Sequence, residues 1–115
     1  MLSLTTHQQY FLYQPITDMR KGFNGLSGLV RNELGKDPLG GQAFIFINRR
    51  RNRMKILVWE YGGFVLFYKM LEKGTFQLPR AQTDESCYTV TWHQLMLVIQ
   101  GVELQSVKQR SRFDL

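Results

Sequence analysis

Three apolar segments in the middle of the chain have the length and composition of β-strands. They cover Ala43–Ile47, Met54–Glu60 and Phe64–Leu71, and they are rich in Ile, Val, Leu and aromatic residues. Residues 8–16 indicate a shorter strand near the N-terminus, and residues 75–78 indicate a short edge piece. The pattern therefore predicts an antiparallel sheet of about four to five strands.

Two further segments carry apolar residues at helical spacing. The first covers Met19–Leu34, with Thr17 and Asp18 as N-cap candidates. The second begins at residues 91–94, whose Thr-Trp-His-Gln sequence has the form of a capping box, and Gly101 ends it. Together with the strands, these helices predict a small α+β fold with a twisted antiparallel sheet and two main helices.

The length of 115 residues fits one domain. We place that domain at residues 1–104 and expect residues 105–115 to form a basic, frayed tail. The chain has neither a signal-peptide pattern nor the run of about 18 apolar residues that a membrane span needs. The single cysteine, Cys87, has no partner for an internal disulfide and fits a reducing compartment. We therefore expect a cytoplasmic protein without membrane contact.

Two hairpins set the predicted register of the central strands. Pairing across the basic loop places Phe46 opposite Ile56, and a two-residue turn at Gly62-Gly63 places Trp59 opposite Leu66. Both faces of the sheet are then apolar, which is not typical of a sheet with one face in water. Either the helices and the N-terminal strand cover both faces, or one apolar face is an interface between copies of the chain.

The segment between the first two central strands is strongly basic. The net charge is +6, and four of the fifteen Lys and Arg residues lie within residues 49–53. Like charges this close repel one another unless an anion lies between them. The planar donor fork of Arg suits phosphate oxygens and base edges, and a two-stranded ribbon can enter a DNA major groove. We expect DNA binding through this basic segment and through a second basic pair at the start of the first helix. The residues are Arg49, Arg50, Arg51, Arg53, Lys55, Arg20 and Lys21.

Other interpretations of the basic segment stay open. It could contact an acidic protein surface, or it could be a solvated loop that prevents edge aggregation. Trp59, Tyr61 and Tyr68 could stack on bases near the ribbon, although aromatic residues at strand spacing are more typical of a core.

Catalysis has little support in the sequence. The nine carboxylates lie mostly at helix ends, turns and loops, and His93 and Cys87 have no evident catalytic partner. We predict no catalytic residue, no metal site and no cofactor.

Four blocks of the chain together resemble one family. They cover residues 13–26, with Thr-Asp-Met-Arg-Lys-Gly-Phe at its centre, residues 46–57 with the basic run, residues 63–79, and residues 92–104. In this order they resemble the TnpB-type accessory proteins of insertion-sequence-sixty-six transposable elements. The resemblance implies a non-catalytic accessory factor of bacterial transposition, encoded beside a separate transposase. It leaves two alternatives for the partner, which are DNA and a transposase or sibling accessory protein.

Overall fold

The computed structural model describes residues 4–81 and 84–101. Five strands form one sheet in the order β4-β3-β2-β1-β5, and two helices pack on it. The predicted α+β fold is confirmed, whereas the predicted tail at residues 105–115 lies outside the described residues. In chain order the elements are β1 (Tyr10–Tyr13), α1 (Phe23–Asn32), β2 (Ala43–Ile47), β3 (Arg53–Glu60), β4 (Gly63–Met70), β5 (Cys87–Val90) and α2 (Trp92–Ile99).

The sheet is mixed and not antiparallel throughout as predicted. β1 runs parallel to β2, with Phe11 opposite Phe44, because α1 lies in the connection and allows a crossover. The other pairs are antiparallel. β5 was not predicted, and it forms the edge beside β1. Residues 75–78 do not form the predicted strand, since they are an irregular segment in which Phe76 is buried against the sheet.

One helix covers each face of the sheet. Leu26 and Val30 of α1 pack with Phe44 and Leu57 on one face, which we call the α1 face. Leu95 of α2 packs on the other, the α2 face, with a core that also contains Ile45, Ile56, Val58 and Phe76. The two apolar faces are therefore both covered within a single chain. This is the first of the two alternatives that the sequence left open, and self-association through a sheet face stays a prediction.

The register across the basic loop differs from the prediction by one residue. Phe46 pairs with Lys55, not with Ile56. Because side chains alternate along a strand, a one-residue slip moves every β2 side chain to the opposite face. Asn48 explains the difference, since its backbone N–H donates to the carbonyl of Arg53 and closes a loop one residue shorter than predicted.

The turn between β3 and β4 lies one residue earlier than predicted, at Tyr61 and Gly62. Both residues have positive φ angles, 51° and 83°, as a two-residue type I′ turn requires. Trp59 consequently pairs with Phe64 instead of Leu66. The partner changes by two positions, so the side chains of β4 keep the face that was predicted for them relative to β3.

The prediction for the start of α2 is confirmed, whereas that for the start of α1 is not. α2 has the predicted capping box: Thr91 Oγ1 accepts from the Gln94 N–H at 3.0 Å, and Gln94 Oε1 accepts from the Thr91 N–H at 2.9 Å. α1 begins at Phe23 and not at Met19, and its N-cap, Gly22, supplies no side-chain hydrogen bond. The prediction of Thr17 or Asp18 as the N-cap is therefore wrong.

Candidate nucleic-acid interface

The basic loop, residues 48–53, is held by the side chain of Asn48. Its Oδ1 accepts from the backbone N–H of Asn52 at 3.0 Å and of Arg53 at 2.9 Å, and its Nδ2 donates to Asn52 Oδ1 at 2.8 Å. The Arg51 N–H donates to the Asn48 carbonyl at 3.1 Å and closes a turn within the loop. An asparagine that bonds nearby backbone in this way fixes a turn. The pair of asparagines four residues apart is the signal in the sequence that could have revealed this clamp.

The loop is also fixed from outside. The N–H of Leu71 donates to the Asn52 carbonyl at 2.8 Å, and the N–H of Phe76 donates to the Arg51 carbonyl at 2.7 Å. Arg51 has a positive φ of 57°, a conformation that is uncommon for a residue with a side chain. The surrounding hydrogen bonds hold the backbone in this conformation. The arginine side chains thus extend from a backbone that is already ordered.

An open groove of about 660 Å³ lies between the basic loop and the segment that precedes α1. The Thr17 N–H donates to the Ile47 carbonyl at 3.0 Å and so fastens this segment beside the loop. Thr17 Oγ1 is buried at the groove and has no hydrogen-bond partner among the described residues. Four arginines line the groove: Arg20, Arg49, Arg50 and Arg53. The structure therefore brings Arg20 together with the loop, as the prediction of a second contact required.

One carboxylate lies among these arginines. Asp18 accepts hydrogen bonds from the Arg20 guanidinium at 2.7 Å and 3.0 Å, and this ion pair is exposed to solvent. The Arg20 side-chain hydrogen bonds lower the pKa of Asp18 to about 2, so the carboxylate is charged at any ordinary pH. Four arginines less one carboxylate leave a net excess of three positive charges along the groove.

Lys55 does not share the exposed position of the arginines. Its side chain is buried, and Nζ donates to the carbonyl oxygens of Met19 and Lys21, both at 2.8 Å. A buried ammonium requires such partners, because an unpaired charge away from water is costly. Lys55 thus ties the segment before α1 to the sheet, and the structure gives it an anchoring role in place of the surface position that we predicted.

Lys21 and Arg51 are exposed, but within the described chain neither belongs to the groove lining. The stem of Lys21 passes over Gly25, where an added Cβ would lie 3.1 Å from the Lys21 Cβ. The charge of Arg51 instead affects Tyr88, a residue that packs on the α2 face. Burial raises the pKa of Tyr88, and the positive charge of Arg51 partly offsets that rise.

Tyr68 is the aromatic residue that lies beside the arginines. Its side chain is half exposed, and its hydroxyl accepts a long hydrogen bond of 3.4 Å from Arg53 Nη1. Lys55 Nζ lies 4.6 Å from the centre of its ring. Trp59 and Tyr61 instead lie at the other end of β3. Of the three aromatic residues considered for base stacking, Tyr68 is therefore the one that lies beside the basic loop.

The histidine and the cysteine considered for catalysis lie in packed surroundings. His93 packs edge-on against the Trp92 ring, and burial raises the pKa of the Cys87 thiol, which keeps it protonated. Among residues 4–81 and 84–101, no cluster of three or more His, Cys, Asp or Glu side chains could hold a metal ion. Neither described helix is long and apolar enough to cross a membrane.

Comparison with known proteins identifies the class to which this domain belongs. The family model described as "IS66 Orf2 like protein" matches residues 8–109, which is most of the chain. The chain is therefore a member of the IS66 Orf2-like family, and the resemblance found in the sequence is confirmed. Membership implies an accessory role in an insertion sequence, and the family is not a known catalytic one.

Two similar proteins come from Sinorhizobium fredii (strain NBRC 101917 / NGR234). The protein named y4jC is 32% identical over 97 residues, which cover 84% of this chain and 80% of the relative. The protein named y4hO is 34% identical over 88 residues, which cover 76% of this chain and 74% of the relative. No solved structure matches the chain.

Proposed function

We propose that the chain is a non-catalytic accessory factor of transposition that binds DNA through its arginine groove. The observation that carries this proposal is the convergence of Arg20 with the basic loop, since it joins two segments far apart in sequence. All four groove arginines are exposed, so phosphate oxygens can reach their guanidinium groups, although that of Arg20 is also paired with Asp18. Duplex DNA presents phosphates at regular short intervals, which suits a row of cations along an open groove.

The order of the groove backbone adds to this argument. The hydrogen bonds of Asn48 fix the loop, while Lys55 and the Thr17 N–H fix the opposite wall. Binding then costs little ordering of the backbone, and the loss of freedom is confined to the arginine side chains.

A salt series with two matched variants tests the proposal. The groove variant carries Arg49→Gln and Arg50→Gln, and the control carries Arg31→Gln and Lys36→Gln, which remove the same charge near the end of α1. Affinity for duplex DNA is measured at several salt concentrations. We expect the groove variant to bind more weakly, with a salt slope smaller by about 2, because each phosphate contact contributes about 0.9. The control should keep a slope close to that of the natural chain.

Equal losses in the two variants would indicate attraction by net charge alone and would contradict the groove assignment. Absence of salt-dependent DNA binding in the natural chain would also contradict it. In that case the adaptor alternative applies, in which the same arginines meet an acidic surface of a transposase or sibling protein. Comparing element-end DNA with random DNA of equal length then separates sequence reading from backbone contact.

A further inference from the structure

β4 forms one edge of the sheet and lacks the usual protection of an edge strand. It pairs with β3 in an unbroken register, from Gly63 opposite Glu60 to Met70 opposite Arg53. Natural edge strands are commonly protected by charges, proline or bulges. The one charged residue of β4 is Lys69, and its Nζ donates to the Ile99 carbonyl at 2.6 Å. The edge is therefore long, regular and apolar.

The free backbone groups of this edge can be assigned. The Leu71 N–H bonds to Asn52 on the side of β3, and successive residues of a strand direct these groups to opposite sides. The odd-numbered residues of β4 therefore bond to β3. The N–H and C=O groups that point away from the sheet belong to the even-numbered residues, Phe64, Leu66, Tyr68 and Met70.

We propose that β4 pairs with β4 of a second copy of the chain, antiparallel, about a two-fold axis at Phe67. In this register Phe64 lies opposite the partner's Met70, and Leu66 lies opposite the partner's Tyr68. All outward groups of both strands are then used, in about eight hydrogen bonds. The two sheets join into one continuous sheet of ten strands. This inference concerns a different surface from the DNA groove and does not rest on it.

The exposed side chains of β4 favour this register. Tyr68 and Met70 are 49% and 57% exposed, although both are large and partly or wholly apolar. The pairing places them against the partner's Leu66 and the partner's Phe64 on the α1 face. Cross-strand contacts between aromatic and aliphatic side chains stabilise a sheet. A self-complementary strand of this kind suits a symmetric dimer, in which both copies use the same surface.

The charge of the basic loops favours an antiparallel arrangement of the two β4 strands. The basic loop lies at the Met70 end of β4, because Arg53 is opposite Met70 in the β3–β4 ladder. Antiparallel pairing sends the two basic loops to opposite ends of the joined sheet. A parallel arrangement would bring the arginines of both copies to the same end, where they would repel one another.

A cysteine cross-link tests the axis position. In a Cys87→Ser background, Phe67→Cys places the two thiols of a dimer opposite each other at a non-hydrogen-bonded site, where Cα atoms are about 4.5 Å apart. Val65→Cys is the control, because its two copies are offset by four residues, or about 13 Å. We expect mild oxidation to give a reducible dimer with Phe67→Cys and little with Val65→Cys. Equal cross-linking of both variants, or none with Phe67→Cys, would overturn the proposal.

A charge placed at the seam, which is the proposed contact between the two β4 strands, provides a second test. It changes an exposed side chain and leaves the core residues unchanged. Met70→Lys changes an exposed residue and places a lysine against the partner's Phe64. We expect at least a tenfold weaker dimer by sedimentation equilibrium, with an unchanged melting profile for the monomer. Leu39→Lys, at another exposed apolar residue, should leave the dimer intact. The groove variant Arg49→Gln, Arg50→Gln should also remain dimeric, which separates this proposal from DNA binding.

A natural chain that sediments as a monomer up to high micromolar concentration would refute the self-pairing. If such a monomer instead bound an extended segment of another protein at β4, the edge would be an interaction surface of a different kind. A Met70→Lys variant that dimerised like the natural chain would also refute the assignment of the seam to β4.

Discussion

The two hairpins that share β3 are built very differently. The β3–β4 turn needs two residues with positive φ, and Tyr61 in it is fully exposed. The basic loop between β2 and β3 is larger, and it is fixed by the side chain of Asn48 and by backbone bonds from Leu71 and Phe76. The chain can reverse its direction between two strands with far fewer contacts than the basic loop has. The additional contacts fix the backbone that carries the loop arginines, which is where a binding function would require order.

A second contrast lies within β3 itself, between Arg53 and Lys55. The two residues are two positions apart, so their side chains lie on the same face of the sheet. Arg53 is exposed in the groove, whereas Lys55 lies beneath the segment before α1. Equal charge is therefore found in two different surroundings, exposed in the groove at the end of the strand and buried as an anchor two residues further in.

The largest expected effect on stability comes from replacing Lys55. Lys55→Met keeps the length of the side chain but leaves the carbonyls of Met19 and Lys21 without their charged donor. We expect a loss of about 2–4 kcal/mol in the free energy of unfolding, measured with denaturant. Arg53→Met should cost about 0.5 kcal/mol or less, since Arg53 is exposed. Similar losses for both would mean that Lys55 is not an anchor.

Removing the clamp of the basic loop should have the next largest effect. Asn48→Ala deletes three hydrogen bonds, two of which hold backbone N–H groups. We expect a loss of about 1–3 kcal/mol in unfolding free energy and weaker DNA binding, although no charge is removed. Asn52→Ala removes one of these bonds and should cost less. If Asn48→Ala left DNA affinity unchanged, the order of the loop would be irrelevant to binding.

Substitutions in the β3–β4 turn should change the stability of the chain only through the backbone conformation. Gly62 has a φ of 83° and open space around its Cα, so Gly62→Ala meets backbone strain and no steric contact. We expect a loss of about 1 kcal/mol in stability and no change in DNA affinity. Tyr61→Asn creates the Asn-Gly pair that type I′ turns favour and should stabilise the chain by about 0.5 kcal/mol. An effect of either change on DNA binding would contradict the division between the two hairpins.

The smallest expected effect concerns Asp18. Asp18→Asn removes the one carboxylate of the groove and releases the Arg20 guanidinium. We expect a few-fold gain in DNA affinity and a salt slope larger by about 1, from one additional phosphate contact. Because the folded pKa of Asp18 is about 2, its charge is lost only as the pH falls towards that value. Binding by the natural chain should therefore not vary between pH 5 and pH 8 through this group, and a marked change there would contradict the assignment.

The sequence predicted the central strands and α2 well because their signals are local. Runs of large apolar residues and the capping box at Thr91 depend on neighbours along the chain. The register across the basic loop depended instead on how the Asn48 side chain closes it. The burial of Lys55 depends on carbonyls more than thirty residues earlier in the chain, which no local pattern records. β5 was missed because it has four residues and lacks a regular alternation.

The position of β1 between β2 and β5 has a consequence for the order in which the molecule can assemble. β2, β3 and β4 follow one another as a meander, so their contacts close over short stretches of chain. β1 pairs with β2 across the α1 connection, but its other neighbour is β5, with Tyr10 opposite Val90. Contacts between such distant segments slow folding. During synthesis β1 thus emerges before the other four described strands but completes its pairing only when β5 has been made, and the α2 face stays uncovered until α2 has been made.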